Sequence, residues 1–454
     1  MGTLYQPLES TIQELKVTIH DTSLVFPSEK TQKKPMFLSN IDQVLNFDVQ
    51  TLHFFPANSE FPPEIVTEKL RNALSKVLVP YDFLAGRLKM NHQIGRLEID
   101  CNAEGAVFVV ASSELTLKEI GDLVYPNPGF KQLVTQSIDH LEKDDKPLCI
   151  IQVTSFKCGG FAMGTSTNHI TFDGTSYKIF LQNLASQAFD DKPLAIVPCN
   201  DRSLLAARSP PRVDFPHPEL LKLEVPIGEE LNPTVFETLQ EELVFKIFKL
   251  NSSDISSLKD KAKDENAPHA KVTSFNTVTA HVWKCKALSF DVENNSERIS
   301  TVLFAVDIRP RLNPPLPKSY TGNAVLTSYA SATCHELEEW PFSKIVATVS
   351  KGAMRMTDEY ARSAIDWGEF YKGFPNGEFL ISSWWRLGFS EVEYPWGKPK
   401  YSCPVISHRK DIILFFPNID DGISSNNDGV NILVALPAKQ MEKFESYFHK
   451  FLLA

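Results

Sequence analysis

The sequence predicts a mixed α/β protein built as two halves of similar size. Three observations carry that prediction. Short β-like runs alternate with helical patterns on both sides of the chain's middle. A proline-dense stretch, residues 191–242, separates the two sides. A chain of 454 residues, at roughly 100–200 per domain, asks for two or three units.

The first half is expected over residues 1–190. Asn46 to Phe55 alternates as a strand does, and Pro63 to Val79 spaces Ile65, Val66, Leu70, Ala73, Leu74 and Val77 for one face of a helix. Arg96 to Val110 reads as a hairpin turning at Glu104-Gly105. Residues 149–168 read as two β segments joined at Gly159-Gly160, followed by HITFDG and an amphipathic helix carrying Tyr177, Ile179, Phe180, Leu184 and Phe189. The middle stretch holds Pro193, Pro198, Pro210, Pro211, Pro216, Pro218, Pro226 and Pro233. Proline fixes φ and removes a donor, so neither a long helix nor a central strand fits there. Leu204, Leu205, Phe215 and Leu220 run through it and predict an ordered crossover. In the second half, 243–454, Ser274 to Leu288 is helical in pattern and Arg298 to Asp307 is a buried-strand pattern. Pro341 to Tyr371 reads as one long helical stretch. Ile412 to Pro417 and Val430 to Pro437 read as strands, and Lys439 to Leu453 as a helix.

Composition excludes several function classes. With 43% hydrophobic and 22% charged residues the chain can bury a real core, so disorder does not dominate. Lys plus Arg total 46 against 56 Asp plus Glu, a net charge of −10, which argues against nucleic-acid binding. The seven cysteines are odd in number, widely spaced and form no CxxC pair, so neither a zinc site nor a disulfide framework is expected. Mostly buried thiols in a reducing compartment fit this pattern. The opening segment shows no basic start followed by an apolar run, and no apolar stretch approaches the ~18 residues of a membrane helix. The expectation is a cytosolic protein with no metal and no membrane span.

Histidine suits a general base near neutral pH. His169 lies between a β segment and a helix, where a side chain projects into a cleft, with Asp173 four residues on and Gly174 giving a tight path into the helix. Spacing alone is weak. His169 also reads as a satisfied core histidine, and Asp173 as a helix N-cap. His140 and Asp144 repeat the spacing in a charged stretch without a glycine or a preceding strand, and read as a chance match on a solvated face. Cys158, near His169 in sequence, reads as an inert thiol in an apolar strand.

Five ordered segments together change that weighing. CGGFAMGTSTNHITFDG resembles the HxxxDG signature of the BAHD acyl-CoA-dependent acyltransferases. Leu38 to Gln43 (LSNIDQ), Leu84 to Leu88 (LAGRL), Asp307 to Arg311 (DIRPR) with Tyr320 to Asn323 (YTGN), and Glu393 to Pro399 (EYPWGKP) resemble the family's other segments in order. The resemblance covers nearly the whole chain. It implies two chloramphenicol acetyltransferase-like domains, each a mixed sheet flanked by helices, joined by a long crossover loop, with His169 in a channel between them. It implies a ternary-complex mechanism without an acyl-enzyme, in which His169 takes the proton of an alcohol or amine as it attacks an acyl-CoA thioester. Acyl-CoA is then a cosubstrate, and no cofactor is held permanently. Asp173 would point away from the cleft and pair with Arg309 or Arg311, while Ser382 and Trp384 would face the oxyanion. Core or channel packing is the other reading of Trp384 and Trp385. Glu393, Pro395 and Tyr394 depart from the family's DFGWG; by resemblance Glu393 would pair with Arg309 or Arg311, with Trp396 and Gly397 structural. The sequence looks similar to members that move hydroxycinnamoyl groups onto fatty alcohols or ω-hydroxy acids as a monomer. An acetyl or benzoyl transferase, or a non-catalytic partner in very-long-chain lipid synthesis, are the alternatives.

Overall fold

The computed structural model describes the chain apart from residues 1, 6–13, 125–126, 136–144, 224–241, 264–271, 291–295, 406–410, 419–428 and 454. His140 and Asp144 lie outside the described residues. Among the described residues the architecture is a mixed α/β fold of two large sheets flanked by helices, with a three-stranded and a two-stranded sheet beside them. The first, six-stranded sheet runs in the order Tyr401–Pro404, Asp48–Phe55, Phe161–Asn168, Cys149–Phe156, Ala106–Ser113, Val17–Val25. The second, seven-stranded sheet runs Thr3–Tyr5, Val244–Leu250, Val430–Leu436, Ile412–Pro417, Phe379–Ser383, Ile299–Asp307, Val325–Thr333. Each sheet therefore takes one strand from the other half of the chain. Tyr401–Pro404 pairs antiparallel with Asp48–Phe55, and Thr3–Tyr5 with Val244–Leu250.

The local chemistry explains the elements that frame the site. Phe161–Asn168 is buried along its whole length because partners flank it on both sides, Asp48–Phe55 and Cys149–Phe156, both antiparallel. Gly159, at φ +82°, turns the chain between Cys149–Phe156 and Phe161–Asn168. The helix Gly174–Ala188 starts where the Asp173 side chain accepts from the Ser176 N–H, and it is buried on most sides. Pro63–Val77 carries proline in its first turn and buries Val66, Leu70, Ala73, Leu74 and Val77 as one stripe.

Two cores fill the two halves, and a third joins them. Leu52, Phe54 and Tyr401 of the first sheet cluster with Ile247, Phe416 and Leu433 of the second. Each such side chain contributes about 1.5–3 kcal/mol on burial. The crossover runs against the second half: Cys199 N–H donates to Ser319 O at 2.9 Å and Thr321 N–H to Cys199 O at 3.0 Å. Farther along, Asp366 accepts from Arg208 Nε at 2.6 Å and from the Arg212 N–H at 2.7 Å. Among the described residues no helix is long and apolar enough to cross a membrane.

Three expectations need correction. Arg96 to Val110 is not a hairpin. Arg96–Asp100 pairs back onto Arg87–Asn91, whereas Ala106–Ser113 joins the six-stranded sheet. Gly105, at φ +94°, lets the chain leave one sheet for the other. Pro341 to Tyr371 is two helices, Phe342–Arg355 and Asp358–Phe370, because Thr357 caps a new start by accepting from the Tyr360 N–H. Cys158 is exposed in the turn before Phe161–Asn168 rather than inside a strand.

Candidate active site

His169 follows the last residue of the strand Phe161–Asn168 and is held before the helix Gly174–Ala188 begins. Its N–H donates to Phe47 O at 2.8 Å, and its ring tilts against the Phe47 ring with centroids 5.2 Å apart. Asn168 shapes the turn: its Oδ1 accepts from the Ile170 N–H at 3.0 Å, and its carbonyl from Thr171 Oγ1 at 2.6 Å. His169 remains partly exposed while its neighbours on both sides are buried. The residue as a whole is therefore not fully enclosed.

Asn323, in the YTGN loop of the other half, orients that ring. Its Nδ2 donates to Asp42 Oδ1 at 2.8 Å, to His169 O at 2.9 Å and to Ile170 O at 3.3 Å. Three acceptors around one end of the amide require the NH2 there, so Oδ1 must face the imidazole. His169 Nδ1 lies 3.1 Å from that oxygen. Nδ1 therefore carries the hydrogen, and Nε2 keeps the lone pair. Burial pushes the imidazole below the ordinary histidine range, offset in part by its own backbone hydrogen bond, the Asp173 charge, the Asn323 hydrogen bond and the Asp42 charge. Asp42, fully buried, is placed by a capping box at the start of the short helix Asn40–Gln43. Its Oδ2 accepts from the Ser39 N–H at 2.9 Å and from Ser39 Oγ at 2.7 Å.

Asp173 does not touch the imidazole. Its Oδ1 accepts from the Ser176 N–H and from Arg309 Nη2, and its Oδ2 from the Ala324 N–H, each at 2.9 Å. One carboxylate thus starts the helix and pins the YTGN loop across the seam. Arg309 is the arginine that meets it, and it also donates to Ser176 Oγ at 2.7 Å and Gly322 O at 2.9 Å. Arg311 instead donates to Ala353 O at 2.8 Å and Met356 O at 3.2 Å.

The expected pairing of Glu393 with either arginine is not observed. Arg309 is already occupied by Asp173 and Asp307, and Arg311 by backbone carbonyls. Glu393 lies 3.8 Å from Lys398, both of them exposed. The loop holds its shape by packing. Tyr394 stacks on Trp396 with centroids 5.3 Å apart, and Trp396 meets Phe55 and Phe161 edge-on. A turn closes from Gly397 N–H to Tyr394 O at 3.0 Å, with Gly397 at φ +107°. Pro395 sits second in that turn, where its fixed φ is suited and no donor is needed.

Ser382 is the penultimate residue of the strand Phe379–Ser383, and Trp384 follows the strand. Trp384 N–H donates to Phe415 O at 2.7 Å, and its ring meets Phe389 edge-on. Among the described residues, the Ser382 hydroxyl and the Trp384 indole N–H make no hydrogen bond with another residue and none with His169. Trp385 is the tryptophan taken up by the second core. Cys158 lies beyond the far end of Phe161–Asn168, about 25 Å along the strand from His169. It cannot serve as a nucleophile for that base. No group of three or more metal-ligating side chains gathers among the described residues.

The structure thus anchors one imidazole nitrogen of His169 on an amide from the other half of the chain, in a mixed α/β fold. The model of the Transferase family matches residues 15–451, and the chain belongs to that family, the BAHD acyltransferases that use acyl-CoA. It is 60% identical over 456 residues to Acyltransferase GLAUCE of Arabidopsis thaliana, with 99% of each chain covered. It is 34% identical over 446 residues to the Omega-hydroxypalmitate O-feruloyl transferase of the same plant, covering 97% of this chain and 94% of that one. Among solved structures, F. graminearum TRI101 complexed with coenzyme A and deoxynivalenol superposes with a TM-score of 0.73 at 16% identity, covering 91% of this chain and 97% of that one. The chain is an acyltransferase.

Proposed function

We propose that the chain moves a hydroxycinnamoyl group from its CoA thioester to the hydroxyl of a fatty alcohol or ω-hydroxy acid, with His169 as general base. The observation that carries the catalytic part is the Asn323 contact, which leaves Nε2 as the acceptor on a residue that is not fully enclosed. The acceptor hydroxyl gives its proton to Nε2 as its oxygen attacks the thioester carbonyl. The oxyanion is met by Ser382 Oγ–H and the Trp384 indole N–H, two donors with no other partner among the described residues. CoA thiolate leaves and takes the proton back from the imidazolium. Asp173 and Arg309 hold the loop that carries His169 and relay no charge. Residues 1–190 and 243–454 act as the two lobes, with 191–242 as the crossover between them. Trp396 and Gly397 keep the EYPWG loop in place.

The acyl donor and acceptor are supported by the relative named for feruloyl transfer to ω-hydroxypalmitate. CoA as the carrier is supported by the coenzyme A complex with the same fold. The setting we propose is the cytosol, with the chain acting as a monomer. The altered loop offers no reason for a non-catalytic role, because its packing and turn are intact. The deciding experiment measures CoA thiol release and ester formation. Feruloyl-, coumaroyl-, caffeoyl-, acetyl- and benzoyl-CoA are each offered with 1-hexadecanol and 16-hydroxyhexadecanoic acid. We expect the highest kcat/KM with a hydroxycinnamoyl-CoA. Preference for acetyl- or benzoyl-CoA overturns the donor assignment, and no thiol release from any pair overturns the reading.

A further inference from the structure

We propose that Arg202, delivered by the crossover segment, is a positioning residue for the reaction: its buried guanidinium supplies the counter-charge that holds the Asp42–Asn323–His169 chain in place. The crossover runs alongside the YTGN loop through Cys199, and Asp201 then caps the short turn Arg202–Leu205. This carries Arg202 beneath the HITFDG loop, where it is 2% exposed. Nη2 donates to Thr171 O at 2.9 Å, and Nη1 lies 3.9 Å from Asp42 Oδ1. Among the described residues Nε and Nη1 have no hydrogen-bond partner, and the guanidinium sits 5.3 Å from the Phe83 ring and 5.8 Å from that of Tyr320.

Burying a guanidinium for one hydrogen bond is expensive. Its charge is the reason to have it there. Asp42 is the carboxylate within salt-bridge reach of it, and Arg202 is the cation within reach of Asp42, among the described residues. The hydrogen-bond donors to Asp42 are the neutral Ser39 and Asn323. Gly322 fits the same arrangement, since a Cβ there would overlap Arg202 Nη1 and crowd the Tyr320 hydroxyl.

Two buried carboxylates bear on the His169 ring, each with an arginine behind it, and Arg309 also meets the half-exposed Asp307. Asp42 comes from the short helix, with Arg202 behind it; Asp173 comes from the helix cap, with Arg309 behind it. The Tyr320 phenol between the arginines is neutral, held above its ordinary range by burial. Without Arg202, two buried carboxylates face one guanidinium. That imbalance favours imidazolium over the neutral base.

The inference rests on His169 being the base, and the experiment separates the two. Full-length protein labelled with 15N-histidine is titrated by long-range 1H–15N NMR, with the His169 signal assigned through His169→Gln. The wild type shows a protonated Nδ1 and a bare Nε2. In Arg202→Gln the His169 midpoint rises by about one pH unit, and the acid limb of kcat rises with it. The double variant Asp42→Asn/Arg202→Gln, which removes both charges, returns the midpoint toward the wild-type value, and Arg202→Lys holds it there. An unmoved midpoint in Arg202→Gln overturns the proposal. So does insolubility of Arg202→Gln that the double variant does not relieve, because that marks a purely packing role. Full turnover in His169→Gln sinks the general-base reading instead.

Discussion

Replacing Asn323 by alanine isolates the contribution of ring orientation to turnover. The side chain is buried, at 1% exposure, so it does not meet substrate. It supplies the acceptor for His169 Nδ1 at 3.1 Å and donates to Asp42 at 2.8 Å and His169 O at 2.9 Å. Alanine leaves the ring free to swap tautomers and rotate. A buried hydrogen bond that is lost with its partner left behind costs about 1–3 kcal/mol. Placed on the transition state, that lowers kcat by about 5–150-fold. KM for both substrates stays within about twofold, since no substrate contact is removed. Stability also falls by about 1–3 kcal/mol, because Asp42 loses its amide donor in a dry site. The assay is initial-rate kinetics on protein shown folded by its urea midpoint, with the two effects read separately. An unchanged kcat, or a loss confined to KM, refutes the orientation argument.

Three further predictions follow from contacts of the same kind. Arg309→Met leaves Asp173 buried without its cation and costs about 3–5 kcal/mol, read as a lower urea midpoint; an unchanged midpoint contradicts the bridge. Trp396→Ala removes the stack on Tyr394 and the edges against Phe55 and Phe161, and costs about 3–5 kcal/mol, while kcat per folded molecule stays near wild type; a selective loss of kcat would give the loop a direct part in chemistry. His53, buried between Ser402 and Tyr177, is pushed down to about 3 by desolvation. Unfolded His53 takes up a proton near pH 6.5 that the folded chain refuses until about pH 3. Its stability contribution is therefore complete above pH 6.5 and falls below it by about 1.4 kcal/mol per pH unit. His53→Gln flattens the urea-midpoint profile between pH 6.5 and 5; an identical slope contradicts the neutral buried imidazole.

The site was legible where chemistry and local shape share one stretch of chain. HITFDG carries the imidazole, the helix cap and the turn together, so His169 and Asp173 stood out. Asn323 and Asp42 lay inside segments that were noticed, YTGN and LSNIDQ, yet their roles were not. Nothing in either segment tells that a carboxylate at 42 and an amide at 323 meet an imidazole at 169. Arg202 is hidden differently, in a stretch whose sequence speaks through its prolines and scattered apolar residues. Glu393 does not pair as expected because the reach of a carboxylate does not tell which guanidinium is already occupied. Arg309 is committed to Asp173, Ser176, Asp307 and Gly322, and Glu393 lies exposed beside Lys398 instead. The break at Thr357 was readable, since a threonine followed by Asp358 and Glu359 marks a helix start. The long apolar pattern across it masked that signal. The exchanged strands, Thr3–Tyr5 and Tyr401–Pro404, carry no local sign, because their partners are set by the whole fold.

The central claim is that His169 Nε2 accepts the acceptor's proton. Turnover of His169→Ala, with the acyl-CoA and acceptor pair that the wild type uses best, tests it most directly. We predict a loss of about 10²–10⁴-fold in kcat with the urea midpoint preserved. Turnover equal to wild type in that variant would contradict the account.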